Sequence, residues 1–205
     1  MYVRIARFEG ATPEQAEAAR NLGKEQFLPQ VQQLDGYGGS AMLGDVEAGT
    51  ALNLVFFDTP EALEAGDREL DSMSPPDELS GIRRTSIERY EVAIHEIGDH
   101  PAAARVTRLT GAADRIDEGI RHALETILPR ARALDGWQGV FFLVDRDTGN
   151  GIIVTLWESA EARQASEDAA TQLRHETAAA GGETIIGIER YEVVALDART
   201  RAGIS

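Results

Sequence analysis

Cysteine is absent from the 205 residues, so the chain has no disulfide, no thiolate metal site and no cysteine nucleophile. Positive charge is scarce: 20 Lys and Arg stand against 35 Asp and Glu, for a formal charge of -15. A surface of that sign repels phosphate backbones and anionic membranes, which argues against nucleic acid and membrane as partners. It does not exclude a small anionic ligand held locally by arginines. No apolar run reaches the roughly 18 residues of a membrane span. Tyr2-Val3-Arg4-Ile5 reads directly as strand, without the apolar core of a signal peptide, so the expected location is the cytoplasm. A glycine-rich phosphate loop with lysine and a Gly-x-Ser-x-Gly elbow are both lacking.

What is present is a repeat. Ile87-Glu88-Arg89-Tyr90-Glu91-Val92 returns unchanged as Ile188-Glu189-Arg190-Tyr191-Glu192-Val193. Leu28-Pro29 matches Leu128-Pro129, Leu34-Asp35-Gly36 matches Leu134-Asp135-Gly136, and residues 50–65 align without a gap to 150–165. Almost the whole chain is therefore one unit written twice, and a duplicated unit can form both halves of a symmetric assembly in one polypeptide. The seam is Gly98-Asp99-His100-Pro101, where proline discourages helix. The copies are expected to span residues 1–98 and 102–198. A chain of this length buries roughly 70% of its unfolded surface, enough for a sizeable core.

Within a copy, Tyr2 to Glu9 reads as a strand, and Thr12-Pro13-Glu14-Gln15 announces a helix with a capping box and proline at its first position. Ile116, Ile120, Leu124, Ile127, Ala131 and Leu134 of copy two share one helical face. Pro29 and Pro129 fall late in these helices and should bend or interrupt them, either wrapping the helix end over a sheet or opening a cavity mouth. Two strands follow, Trp137 to Asp145 and Gly151 to Trp157 in copy two, joined by turn residues 147–150. Thr59 and Ser159 cap a second helix, and the hexamer lies in the last strand. The order is β-α-β-β-α-β, twice. Phe56, Phe57, Phe141, Phe142, Leu156 and Trp157 put apolar side chains on both sheet faces. Two ferredoxin-like units packed sheet to sheet as an intrachain α+β barrel would cover the second face and remove exposed edges.

This order, with the passage Leu156-Trp157-Glu158-Ser159-Ala160-Glu161-Ala162, resembles the antibiotic-biosynthesis-monooxygenase-like group of the dimeric α+β barrel superfamily. Usual members have one unit per chain and dimerise; this chain resembles such a dimer fused into one polypeptide. The resemblance implies cofactor-independent oxygenases of aromatic polyketides, haem-degrading enzymes, isomerases or proteins of unassigned role. The haem-degrading type carries an asparagine on its first strand and an axial histidine about ten residues beyond the tryptophan. Here the first strands lack asparagine, and Glu167 and Asp168 stand where that histidine would be. These departures argue against haem, and no cofactor is expected.

The candidate chemistry rests on few residues. Arg4 and Arg7 correspond to Arg105 and Arg108, and three-residue spacing on a strand sends the members of each pair to opposite faces. One can hold a carboxylate or enolate through its planar fork; an acidic neighbour such as Glu88, Glu91, Glu189 or Glu192 is the structural alternative. In the hexamer, Arg89 and Glu91 share a face and can form a cross-strand network, while Tyr90 and Tyr191 either pack or aim a phenol into a cavity. The four histidines occur singly, without metal-ligand spacing. His122 lies at the edge of the apolar helical stripe, as a base entering a cavity or as a helix-edge residue with ordinary hydrogen bonding.

Two functions compete. The first is cofactor-independent monooxygenation of a small aromatic or enolisable compound. His122 would then act as base, Arg105 or Arg108 would stabilise the oxyanion, and Trp137, Trp157 and Tyr191 would contact substrate. The second is a non-catalytic small-molecule-binding or structural stress-associated protein. Its partner would be a small apolar or aromatic ligand, or none. Copy two, richer in aromatics and carrying His122, is the better candidate to hold either site.

Overall fold

The computed structural model describes residues 1–198. Copy one runs β1 (Tyr2–Glu9), α1 (Pro13–Leu22), α2 (Leu28–Val31), β2 (Tyr37–Asp45), β3 (Thr50–Phe57), α3 (Pro60–Ser72) and β4 (Arg83–Ile97). Copy two repeats the order as β5 (Ala103–Thr110), α4 (Ile116–His122), α5 (Leu128–Ala131), β6 (Trp137–Val144), β7 (Asn150–Trp157), α6 (Ala160–Ala165), α7 (Glu167–Gly181) and β8 (Thr184–Ala198). The expected pair of β-α-β-β-α-β plans is present. The hydrogen-bonded strand order β1-β3-β2-β8-β5-β7-β6-β4 closes on itself as an eight-stranded barrel.

Local chemistry sets the element ends. Thr12 accepts from the Gln15 backbone N–H while the Gln15 side chain accepts from the Thr12 N–H, completing the capping box. Thr59 and Ser159 accept from the N–H groups of Ala62 and Ala162. Gly36 and Gly136 both take a left-handed conformation, φ 70° and 74°, and both lie against the first turn of the following helix at Ala62 or Ala162.

The prolines act in an unexpected way. Both helices continue through them, but the turn just before each proline widens into a π turn, Gly23–Phe27 and Ala123–Ile127. The Leu28 and Leu128 N–H groups reach back five residues, to the carbonyls of Gly23 and Ala123. A proline one position on has no N–H with which to close an ordinary turn, and the wide turn absorbs that loss without breaking the rod.

By spatial contact the described residues form two compact units, 1–89 with 192–198, and 90–191. Strands β4 and β8, each of 15 residues, run through both. In the first unit β3 is antiparallel to β1 and β2, and β2 takes residues 192–198 as its other neighbour. Val31, Leu34, Tyr37, Val55, Phe57, Leu63 and Leu70 form a core between helices and sheet. The opposite sheet face, with Val3, Ile5, Leu43, Leu52, Leu54 and Phe56, is also buried. The second unit repeats this, with β7 between β5 and β6 and residues 91–97 paired to β6. Its helix-side core includes Leu109, Ile116, Leu128, Val140, Phe142 and Ala178. Val106, Phe141, Leu143, Ile152, Val154 and Leu156 fill its other face.

Candidate functional site

The second unit encloses a cavity of about 70 Å³ between its helices and its sheet. Strand alternation supplies the floor. Arg105, Thr107, Val140, Phe142, Ile153, Thr155 and Trp157 point toward the helices because their strand neighbours point away. The π turn supplies part of the roof through Ala123 and Ile127, and Leu128, Ala131 and Leu134 continue it. Helix α7 adds Ala170, Leu173, Arg174 and Thr177. Trp137 meets Trp157 edge to face at 5.6 Å, and the Arg105 guanidinium lies over the Trp157 ring at 5.4 Å.

Two buried cations interrupt this largely apolar wall. Arg105 is 1% exposed and donates to the Arg163 carbonyl at 2.6 Å and to Glu167 at 2.9 Å. Arg174 is 8% exposed and donates to Glu167 at 2.8 Å and to Thr171 Oγ1 at 2.6 Å. Arg190 approaches the same carboxylate at 3.1 Å. Burial works against ionisation of Glu167, but hydrogen bonds from Arg174 and Arg190 and the charge of Arg105 outweigh it and hold its carboxyl at about 2. Burial pulls the Arg105 guanidinium down to about 10, with Glu167 opposing and Arg174 adding to the shift. Both groups are therefore charged at neutral pH. Nε and Nη1 of Arg105, Nε and Nη1 of Arg174, and Nε1 of Trp137 are buried without a hydrogen-bond partner. The site offers donors, and no histidine, aspartate or glutamate lines it.

The candidates from sequence divide into three places. Arg105, Trp137 and Trp157 come together at the cavity. Arg108 and Tyr191 do not line it: they lie on the opposite sheet face, where Glu189 receives the Tyr191 hydroxyl at 2.8 Å and approaches Arg108 at 3.7 Å. His122 ends α4, half-buried and outside the lining, with Nε2 buried and unpartnered. The hexamer arginines form no network with Glu91 or Glu192. Arg89 pairs with Asp67 on α3 and Arg190 with Glu167 on α7, because their strand face looks at the helices. Glu91 instead pairs with Arg146 at 2.7 Å and Glu192 with Arg20 at 2.6 Å.

Sequence reasoning missed Arg174, Glu167 and Thr171 as site residues. A signal existed: the hexamer arginine and an acid 22 or 23 residues before it recur in both copies, as Asp67 with Arg89 and Glu167 with Arg190. In copy one the equivalent space holds Met42, whose Cε would lie 2.1 Å from a Cβ at Gly23, under the first π turn. Tyr37, the counterpart of Trp137, bonds Ser40 and Asp197 at 2.9 Å. A wider recess of about 320 Å³ beside Pro60, Leu63, Asp67 and Arg89 opens to solvent, and its ion pair is already made. Among the described residues no His, Asp and Glu cluster is placed to hold a metal ion, and no helix is long and apolar enough to cross a membrane.

No family model matches the chain. It is 27% identical over 172 residues to the uncharacterized protein Rv2557 of Mycobacterium tuberculosis, covering 79% of this chain and 74% of that one. An anthrone oxidase-like protein superposes with TM-score 0.66 at 18% identity, over 100% of this chain and 96% of its own. A ferredoxin-fold protein of Listeria monocytogenes related to antibiotic biosynthesis monooxygenases gives TM-score 0.53 at 9% identity, over 93% and 94%. In fold, the chain is thus antibiotic-biosynthesis-monooxygenase-like, with two ferredoxin-like units joined in one polypeptide.

Proposed function

We propose that the second unit binds a small enolisable or aromatic compound as its oxyanion and commits it to reaction with dioxygen, without a cofactor. The observation that carries this reading is the pair of buried guanidiniums, Arg105 and Arg174, with unpaired N–H groups at the wall of an apolar cavity. Two fixed positive charges in a water-poor site lower the pKa of an enol or phenol placed beside them. The substrate then supplies the electrons itself. A CH2 group and O2 yield a carbonyl and water, so the balance needs no external reductant. Likeness in fold to an anthrone oxidase-like protein supports the reaction class. The cavity volume, below the roughly 300 Å³ usual for ligand sites, favours a compact substrate over an extended aromatic one.

Binding without turnover is the second reading. It is favoured by one specific feature, the lack of any proton acceptor among the lining residues. Oxygen uptake separates the two. With acetylacetone as a compact neutral probe and anthrone as an extended one, an oxygen electrode should register uptake with the first. Arg174→Met should lower the rate at least about tenfold, the loss of one charge-assisted donor. Wild-type protein that consumes no oxygen with either probe sinks the oxygenase reading.

A further inference from the structure

The two copies build the same ionic cluster with different charge. In copy one Arg4 donates to Asp67 and, at 2.8 Å, to Asp71; Arg89 pairs with Asp67, and Arg84 reaches Asp71 at 2.8 Å. Two carboxylates face three guanidiniums, and Arg84 is at the surface. In copy two Glu167 occupies the place of Asp67 and receives Arg105, Arg174 and Arg190. One helical turn on, where copy one has Asp71, stands Thr171. One carboxylate now faces three guanidiniums, two of them more than nine-tenths buried. A buried charge left without a counter-charge is costly, and here four guanidinium N atoms also lack hydrogen-bond partners. What copy two lacks relative to copy one is a single carboxylate, and it lacks it beside a cavity.

We infer that the copy-two cavity is a receptor for a small carboxylate, whose oxygens take over the role that Asp71 plays in copy one. This names the ligand class of the site proposed above and rests on that reading only for the cavity, not for the oxygen chemistry. A planar, two-oxygen acceptor matches the guanidinium fork. Trp137 Nε1 is a further unpaired donor at the wall. The apolar lining, including Ala123, Ile127 and Leu128, suits a short hydrocarbon tail. A volume of about 70 Å³, well below the roughly 300 Å³ usual for ligand sites, limits that tail to a few carbons.

Trp137 and Trp157, the chain's two tryptophans, both line the cavity, so intrinsic fluorescence reports occupancy directly. The full chain is titrated with sodium propionate and, at matched ionic strength, with propionamide and sodium chloride. Saturable change is expected with propionate alone. Thr171→Asp, which restores the copy-one carboxylate in cis, should weaken propionate at least about tenfold, while the uncharged Thr171→Asn retains it. Arg174→Gln provides the same loss from the opposite side should the aspartate variant fail to fold by circular dichroism. Propionamide binding as well as propionate, no saturable response to propionate, or full propionate affinity in both Thr171→Asp and Arg174→Gln each overturns the inference. Carboxylate binding without oxygen uptake leaves it standing and removes the oxygenase reading; uptake with acetylacetone but no carboxylate binding does the reverse.

Discussion

At the scale of single residues, Glu183 shows how one substitution between copies changes the pH response. It stands where copy one has Ile82, packed against Gly111 and Gly181, with Oε2 buried and unpartnered. Burial alone pushes its carboxyl up to about 7. The folded state therefore holds this proton more tightly than the unfolded chain, whose group titrates near 4.5. Its contribution to stability is full below about 4.5 and is lost as pH rises through about 7. Glu183→Gln removes that loss. Chemical denaturation should find the variant more stable than wild type at pH 8, by about 3 kcal/mol at most, and nearly equal at pH 4.5. Equal stabilities at pH 8 would show that the carboxylate finds water in the native state. Glu167 works in the opposite direction: its lowered carboxyl supports the fold above about 4.5, and that support fades as pH falls toward 2.

Elements show where the sequence was legible and where it was not. The caps at Thr12, Thr59 and Ser159 and the opposite faces of Arg105 and Arg108 follow from local geometry, and all were readable. The π turns were not. A proline announces a missing N–H, but whether the helix kinks, stops or widens is decided by packing over the sheet. Partners of the hexamer arginines were misplaced for a similar reason. A strand pattern names the face of Arg190, yet only tertiary structure brings Glu167 of α7 beneath it. Arg174 escaped notice because it occurs in one copy, and a search for shared residues passes over a feature that distinguishes the copies. The second helices carry a testable consequence of this divergence. A Cβ at Gly66 would sit 2.3 Å from Phe57, whereas its counterpart in copy two is Ser166. Gly66→Ala should cost about 1–3 kcal/mol through overpacking, seen as a fall of a few degrees in Tm. Ser166→Ala, which fits its site without a clash and removes a 2.8 Å bond to the Arg163 carbonyl and a 3.4 Å contact from Arg105, should cost about 1 kcal/mol.

For the whole molecule, duplication replaces an association step by covalent linkage, and the long strands are where this shows. Residues 192–198 belong to copy two in sequence but pair with β2 of copy one, and residues 91–97 pair with β6 of copy two. Each copy's sheet is thus completed by the last strand of the other. The fragment 1–98 alone would present β2 with its N–H and C=O groups unpaired from Gly39 to Gly44, an open edge that invites another strand. It carries its own candidate: Glu91-Val92 in β4 repeats Glu192-Val193 in β8, which pairs with Gly44 and Leu43. Two copies of the fragment can exchange these strand ends symmetrically, a closed two-fold arrangement. Light scattering on the fragment should therefore report a dimer that dissociates only as the sheet signal in circular dichroism is lost. A folded monomer would mean that β2 tolerates an unpaired edge, and that strand exchange is a by-product of the fusion instead of a requirement of the fold.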